Sequence, residues 1–408
     1  MARRHVRIGV ILVVALGVLA AADFVLQQVV AAQTSGGATV RAPRFEVDPL
    51  WPKPLPNHWL LGSTIGVWVD ERDHVWIIHR SSATLSNNER GLEQKPPTGE
   101  CCAGAPPVLE FDPNGNLVSS FGGPGQGYEW PQSNHGIFID HQGNVWIGGN
   151  GGGDSHILKF TRGGKFLAQY GKAGVHKGPT NAEGLSTYAG DSNDRQNFGR
   201  VAKIFVDPRD NEAYIADGYL NKRVAVLDAT TGAMKRYWGA YGNKPDDTNL
   251  GPYNPNAPPA QQFRNPVHCA DLANDNLLYV CDRANDRIQV FQKDGKFVKE
   301  GFIAKQSLGE GSVWDIAFSR DAQQTYIFLA DGRNHKVRIL RRDTLEELTA
   351  FGDGGRQPGL FYGVHSIATD SKGNLYTTET YEGKRVQKFI YRGIGTVPRA
   401  QGALWPRS

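Results

Sequence analysis

Apolar and polar positions alternate with a period of two in short runs along the chain, and the runs come in sets. A strand of the type HVWIIHR recurs as NVWIGG, EAYIADG, LLYVCDR, YIFLADG and NLYTTET, with aligned aromatics at Trp76, Trp146, Tyr214, Tyr279, Phe328 and Tyr376. Each is preceded by an apolar strand and a polar turn such as DHQGN, DPRDNE or DSKGN. Each is followed by an alternating strand: VLEF, HILKF, RVAVL, RIQVF, KVRIL or RVQKF. Four of these lead to an aromatic–glycine pair, Phe121-Gly122, Tyr170-Gly171, Trp238-Gly239 and Phe351-Gly352. Period two marks half-buried β-strands, and four short antiparallel strands repeated about six times predict an all-β fold, a six-bladed β-propeller. Two packed sheets do not explain the period. The sixth unit runs out of strands after Phe389-Ile390. The segment Arg44 to Val47 is expected to supply its outer strand and close the ring, which removes exposed edges.

Blade one carries an insertion of roughly residues 81–107, holding Pro96-Pro97, Cys101-Cys102 and Pro106-Pro107. Long loops in compact domains are commonly lids or binding loops. Other long connections, 172–199 and 242–262, join consecutive blades. Composition agrees with this turn-rich body, since Gly contributes 49 and Pro 23 of 408 residues. Lys and Arg total 45 against 41 Asp and Glu, scattered through the chain, which gives no basic stripe for nucleic acid.

The chain opens with MARRHVR and an uncharged run from Ile8 to Ala22. That length suits a signal-peptide core and is short for a membrane span. Residues 1–32 are therefore expected to be a signal peptide or a membrane anchor, 33–43 a linker, 44–392 the propeller and 393–408 a tail. Either reading places the body outside the cytoplasm, periplasmic or extracellular, where disulfides form. Cys269 and Cys281 flank a predicted hairpin near Asn274-Asp275 and are expected to pair. Cys101 and Cys102 are adjacent in a loop, compatible with either redox state.

Eleven residues before the aromatic marker stand His135, His268 and His365 in blades two, four and six. Blades one, three and five give Ile65, Lys203 (or Ala202, if that turn is one residue longer) and Ala317. These positions begin the strand that lines the channel. Alternate blades lie about a third of a turn apart, so three imidazoles are expected to converge on the axis. Three nitrogens with one side open form a catalytic-type zinc site. Neither Met nor Cys sits on the register to favour copper, although imidazole also suits copper, nickel and iron. Four or five residues past the marker come Arg80, Arg283 and Tyr219, on the same face. Two guanidinium groups could hold a carboxylate. A phenol beside a metal and an arginine is expected to ionise below its usual pKa and serve as base.

With these residues in place, the chain resembles the NHL-repeat propellers, and within them the peptidyl-α-hydroxyglycine α-amidating lyases (peptidylamidoglycolate lyases), over roughly residues 44–392. The segments that carry the resemblance are HVWIIHR with Arg80, NHGIFID with His135, IADGYLNKRV with Tyr219, NPVHCADL and VCDRANDRIQVF with His268 and Arg283, and YGVHSIATD with His365. The resemblance implies zinc on the three histidines, catalysis by Tyr219 and Arg80, and Arg283 in the site. It also implies a channel calcium on the backbone carbonyls of Val67 and Ile137 and an Asp after the third histidine. Ser366 stands at that last position, which argues against calcium, and Gly363 replaces a family Met. The expected function is an exported zinc-dependent lyase that cleaves an N-acyl α-hydroxyglycine, a small molecule or peptide, to an amide and glyoxylate. The alternative is a non-enzymatic propeller that recruits protein partners and whose metal is structural, since fold does not decide function. Lactonase-type hydrolysis is less favoured, because such propellers generally use carboxylate ligands.

Overall fold

The computed structural model describes residues 38–406, and the expected signal or anchor segment lies outside the described residues. Six four-stranded antiparallel sheets stand around a central channel, each innermost strand touching those of the blades on either side. The innermost strands are Thr64–Val69, Asn134–Ile139, Val201–Asp207, Val267–Leu272, Asp315–Phe318 and Val364–Thr369. They are buried almost throughout, because both faces pack on neighbouring blades. Among the described residues there is no α-helix, only short 3-10 turns.

The ring closes as expected. Thr39–Asp48 pairs antiparallel with Arg385–Pro398 and forms the outer strand of blade six, so both strands reach beyond the 44 and 392 bounds. Phe45 and Val47 from this strand pack with Phe328, Phe351 and Phe389, joining blade five to blade six.

The recurring aromatic has a physical cause. In blades one and two the Asp of the first hairpin caps that turn and accepts a bond from the marker indole: Trp76 Nε1 to Asp70 and Trp146 Nε1 to Asp140, each 2.9 Å. In blade six the Tyr376 hydroxyl reaches Asp370 at 3.1 Å. A buried aromatic with a polar handle thus satisfies the turn it packs beneath. In blades three to six an acid ending the second strand pairs with an arginine at or near the start of the third. These pairs are Asp217–Arg223 (2.8 Å), Asp282–Arg287 (2.7 Å), Asp331–Arg338 (2.7 Å) and Glu379–Arg385 (2.6 Å). Each clamps the short loop between those strands, and the loops of blades three and four carry Tyr219 and Arg283.

Two disulfides are formed, Cys269 to Cys281 across the first hairpin of blade four and Cys101 to Cys102 within the insertion. His79 ties down both ends of that insertion. Its Nδ1 accepts from the Gly62 and Ser81 amides at 3.1 and 3.0 Å, and its Nε2 donates to the Pro106 carbonyl at 2.9 Å. Burial pushes its pKa down to about 4, so it stays a neutral connector. Glu89 of the insertion pairs with Lys384 of blade six at 2.9 Å.

Candidate metal centre and active site

His135, His268 and His365 each sit where the innermost strand slips register against its hairpin partner. A bulge re-aims a side chain out of the alternating pattern, and here it turns each imidazole toward the axis. One ring nitrogen from each histidine lies within 4.8 Å of the others, and all three residues are buried. The remaining nitrogens are held by the histidine-free blades. His135 Nδ1 donates to the Ala202 carbonyl at 2.7 Å, His365 Nδ1 to the Ile65 carbonyl at 2.8 Å, and His268 Nδ1 to the Trp314 carbonyl. Each imidazole therefore leans on the register residue of the following blade, and this bond leaves the Nε2 lone pair free for a metal.

These contacts correct the register in two blades. The blade-three position is Ala202, the second of the two assignments left open, and the blade-five position is Trp314 rather than Ala317. The bulge in blade three skips Ala202, and Asp315, not Ile316, pairs with Ala330. The first hairpins of these blades are longer by one and three residues than those of blades two, four and six, so a fixed count back from the aromatic falls short.

Tyr219 stands over the triad. Its hydroxyl is 2.9 Å from Nε2 of both His135 and His268, and it accepts a 3.1 Å bond from Arg283 Nη1. Arg283 stacks on Trp314, 4.5 Å from the ring centroid, and pairs with Glu310. On the other side Arg80 donates to the Asn150 side-chain oxygen at 2.9 Å. Among the described residues no carboxylate lies within ion-pair distance of Arg80, and Nε of both Arg80 and Arg283 is buried without a partner. A buried guanidinium without a counter-charge is costly unless an anion completes it.

Asn150 and Glu310 were not among the expected residues. Asn150 lies four positions after Trp146, as Arg80 does after Trp76, so the register carried its signal. Tyr381, five after Tyr376 as Tyr219 is after Tyr214, also faces this group, with its ring 6.5 Å from Trp314. Glu310 lies outside the repeat.

Burial, aided by the charges around them, holds His135 and His268 well below the ordinary imidazole pKa and His365 down to about 3. All three are neutral at pH 7, the form that binds metal. Burial raises the Tyr219 pKa, and Arg283 and Arg80, which pull it down, do not offset this. In the chain alone it is a neutral phenol, and ionisation requires further positive charge.

No protein-family model matches the chain. A stretch of 276 residues, 65% of the chain, is 28% identical to peptidyl-glycine α-amidating monooxygenase B of Xenopus laevis. A stretch of 258 residues, 60% of the chain, is 28% identical to peptidylglycine α-amidating monooxygenase of Rattus norvegicus. The chain is similar to the amidating monooxygenases. The similarity covers 26% and 22% of those two proteins, about a quarter of their length. The amidating-lyase resemblance read from the site segments points to the same group. In fold the chain is similar to an auxiliary nutrient binding protein from Bacteroides thetaiotaomicron, with a TM-score of 0.51, 12% identity, 86% of this chain and 78% of that one.

Beneath the histidines the channel is filled. Lys203 Nζ donates to Asp315 at 2.6 Å and to Asp271 at 2.9 Å, with the Ile316 carbonyl at 3.4 Å. Ser366 Oγ donates to the other Asp315 oxygen at 2.5 Å and accepts from the Val67 amide at 3.4 Å. Cys269 shares a potential ligand cluster with Asp271 and Asp315, but its sulfur is committed to Cys281. These residues do not fit the calcium that the resemblance implies. The position of its Asp ligand holds a hydroxyl already bonded to Asp315, and an ammonium group occupies the two carboxylates nearby. Val67, through its amide bond to Ser366, and Ile137, which lines the same cavity as Lys203 and Asp315, lie beside this network, without a carboxylate left over to complete a set with their carbonyls.

Proposed function

We propose that the protein is an exported zinc-dependent carbon–nitrogen lyase that converts an N-acyl α-hydroxyglycine to the corresponding amide and glyoxylate. The observation that carries this reading is the Tyr219 hydroxyl, 2.9 Å from two of three converging Nε2 atoms and 3.1 Å from Arg283. Similarity to the amidating monooxygenases supports it, and two disulfides support export. Zinc on His135, His268 and His365 would supply a Lewis acid for the substrate hydroxyl and a positive charge that favours the Tyr219 phenolate.

Arg80 binds the substrate carboxylate through its unpaired edge, and Arg283 turns its free Nε to the same anion while holding Tyr219. Tyr219, once ionised, takes the hydroxyl proton. The hydroxyl oxygen becomes the aldehyde oxygen of glyoxylate, the C–N bond breaks with its electron pair on nitrogen, and Tyr219 returns the proton to that nitrogen. No electron is gained or lost overall. The carbonyl contacts at Nδ1 keep the three imidazoles from rotating away, which is the preorganisation such a site needs.

Incubation of the zinc-loaded protein with a simple N-acyl α-hydroxyglycine tests this. Amide and glyoxylate should appear in equal amounts, stop on chelation and resume on zinc addition. Protein with zinc bound that releases no glyoxylate would refute the lyase and leave a structural metal in a binding propeller.

A further inference from the structure

The polar cluster below the histidines has no part in the proposed chemistry, yet it joins five of the six blades. Lys203 comes from blade three, Asp271 from blade four, Asp315 and the Ile316 carbonyl from blade five, Ser366 and the Ile367 amide from blade six, and the Val67 amide from blade one. All of the side chains are buried. A buried lysine is expensive to desolvate and persists only when paired and hydrogen-bonded, so this arrangement is selected by something other than the packing of apolar strands.

Its place in the sequence shows what it steadies. Lys203 directly follows Ala202, whose carbonyl orients His135, and Asp315 directly follows Trp314, whose carbonyl orients His268. Ser366 directly follows His365 itself. The brace therefore grips the backbone one residue from each of three points that aim the triad.

We propose that the Lys203 ammonium is this protein's own channel cation, a tethered charge that ties the blades together beneath the three histidines in place of a bound divalent ion. Lys203, Asp271, Asp315 and Ser366 are positioning residues, acting on the metal centre through the backbone. This inference does not rest on the lyase reading, because it concerns how the triad is held and not what it transforms.

Two consequences separate it from a merely structural salt bridge. The wild-type chain needs no calcium. Removal of the lysine side chain should expose two carboxylates, the Ile316 carbonyl and the Ser366 hydroxyl, an all-oxygen set of the kind calcium takes. The test uses the full zinc-loaded protein, with thermal unfolding measured with and without millimolar calcium chloride, alongside Lys203→Ala and Lys203→Met. Cobalt(II) titration of the zinc-free proteins reads the triad directly through its visible absorption.

Wild type should show no calcium-dependent rise in Tm and no bound calcium by elemental analysis. Lys203→Ala and Lys203→Met should both lose Tm and bind cobalt more weakly, and calcium should restore both properties in Lys203→Ala, which leaves room, but not in Lys203→Met. A saturable calcium shift in wild type overturns the proposal even where the variants fail to fold. So does a Lys203→Ala protein that is folded and indifferent to calcium, or one whose cobalt binding matches wild type.

Discussion

The hydroxyl of Tyr219 and Nε2 of His268 are 2.9 Å apart, brought together from the top of blade three and the start of blade four. Tyr219 is thus within proton-transfer reach of anything bound at the triad, without being needed to build it. The Tyr219→Phe variant should keep its metal and its Tm while kcat falls by about a hundred- to ten-thousand-fold, the usual range for loss of a general acid–base group. Steady-state glyoxylate release with a parallel metal assay reads both, and an active Phe variant would remove Tyr219 from the mechanism.

Arg80 should act on binding. Its charge has no carboxylate partner among the described residues, and Asn150 already fixes its orientation. A charge-assisted bond contributes about 1.5–3 kcal/mol, so Arg80→Gln should raise KM for a carboxylate substrate about 10–100-fold. A carboxamide analogue, bound weakly by wild type, should be nearly unaffected. Equal losses on both substrates would mean that Arg80 does not bind the carboxylate.

How far the sequence reveals this site depends on hairpin length. The blades that carry histidine have first hairpins of one length, so counting back from Trp146, Tyr279 and Tyr376 lands on the bulged residue each time. Blades three and five break the count, which hid the roles of the Ala202 and Trp314 carbonyls. Backbone groups leave no compositional trace in any case. Asn150 and Tyr381 were within reach, because they occupy the register that pointed to Arg80 and Tyr219. The Lys203 brace was out of reach, since Asp271 and Asp315 are ordinary strand residues until the ring brings them to one lysine. The fold itself was legible through the buried aromatic markers, which in blades one, two and six also bond the Asp of the hairpin beneath them.

Glu310 should compete with substrate. Its carboxylate pairs with Arg283, yet its side chain is 52% exposed, so the pair is easily opened. An exposed ion pair contributes about 0.2–1 kcal/mol. Glu310→Gln should therefore lower KM by about 1.5- to 5-fold with kcat unchanged. A rise in KM would show that Glu310 instead helps to hold Arg283 in place.

Stability should carry a mark of Asp286. Burial pushes this carboxyl up to about 7 from 3.8, and although its Oδ1 accepts from the Ser312 amide at 2.7 Å, its Oδ2 has no partner. The folded chain holds that proton more tightly than the unfolded chain. Its contribution is therefore complete below about pH 4 and is lost as pH rises through about 7. Asp286 has a φ of 54°, a conformation that Asn tolerates. Asp286→Asn should raise Tm relative to wild type by about 1–3 °C more at pH 8 than at pH 5. A difference independent of pH would place the strain elsewhere.

The convergence of His135, His268 and His365 is the claim on which the rest depends, and elemental mass spectrometry of dialysed protein tests it most directly. Wild type should carry about one zinc per chain, or take up one when zinc is offered, and His268→Ala should lose it. Wild-type protein that neither holds nor takes up zinc, or a His268→Ala protein that keeps a full equivalent, would contradict the metal centre.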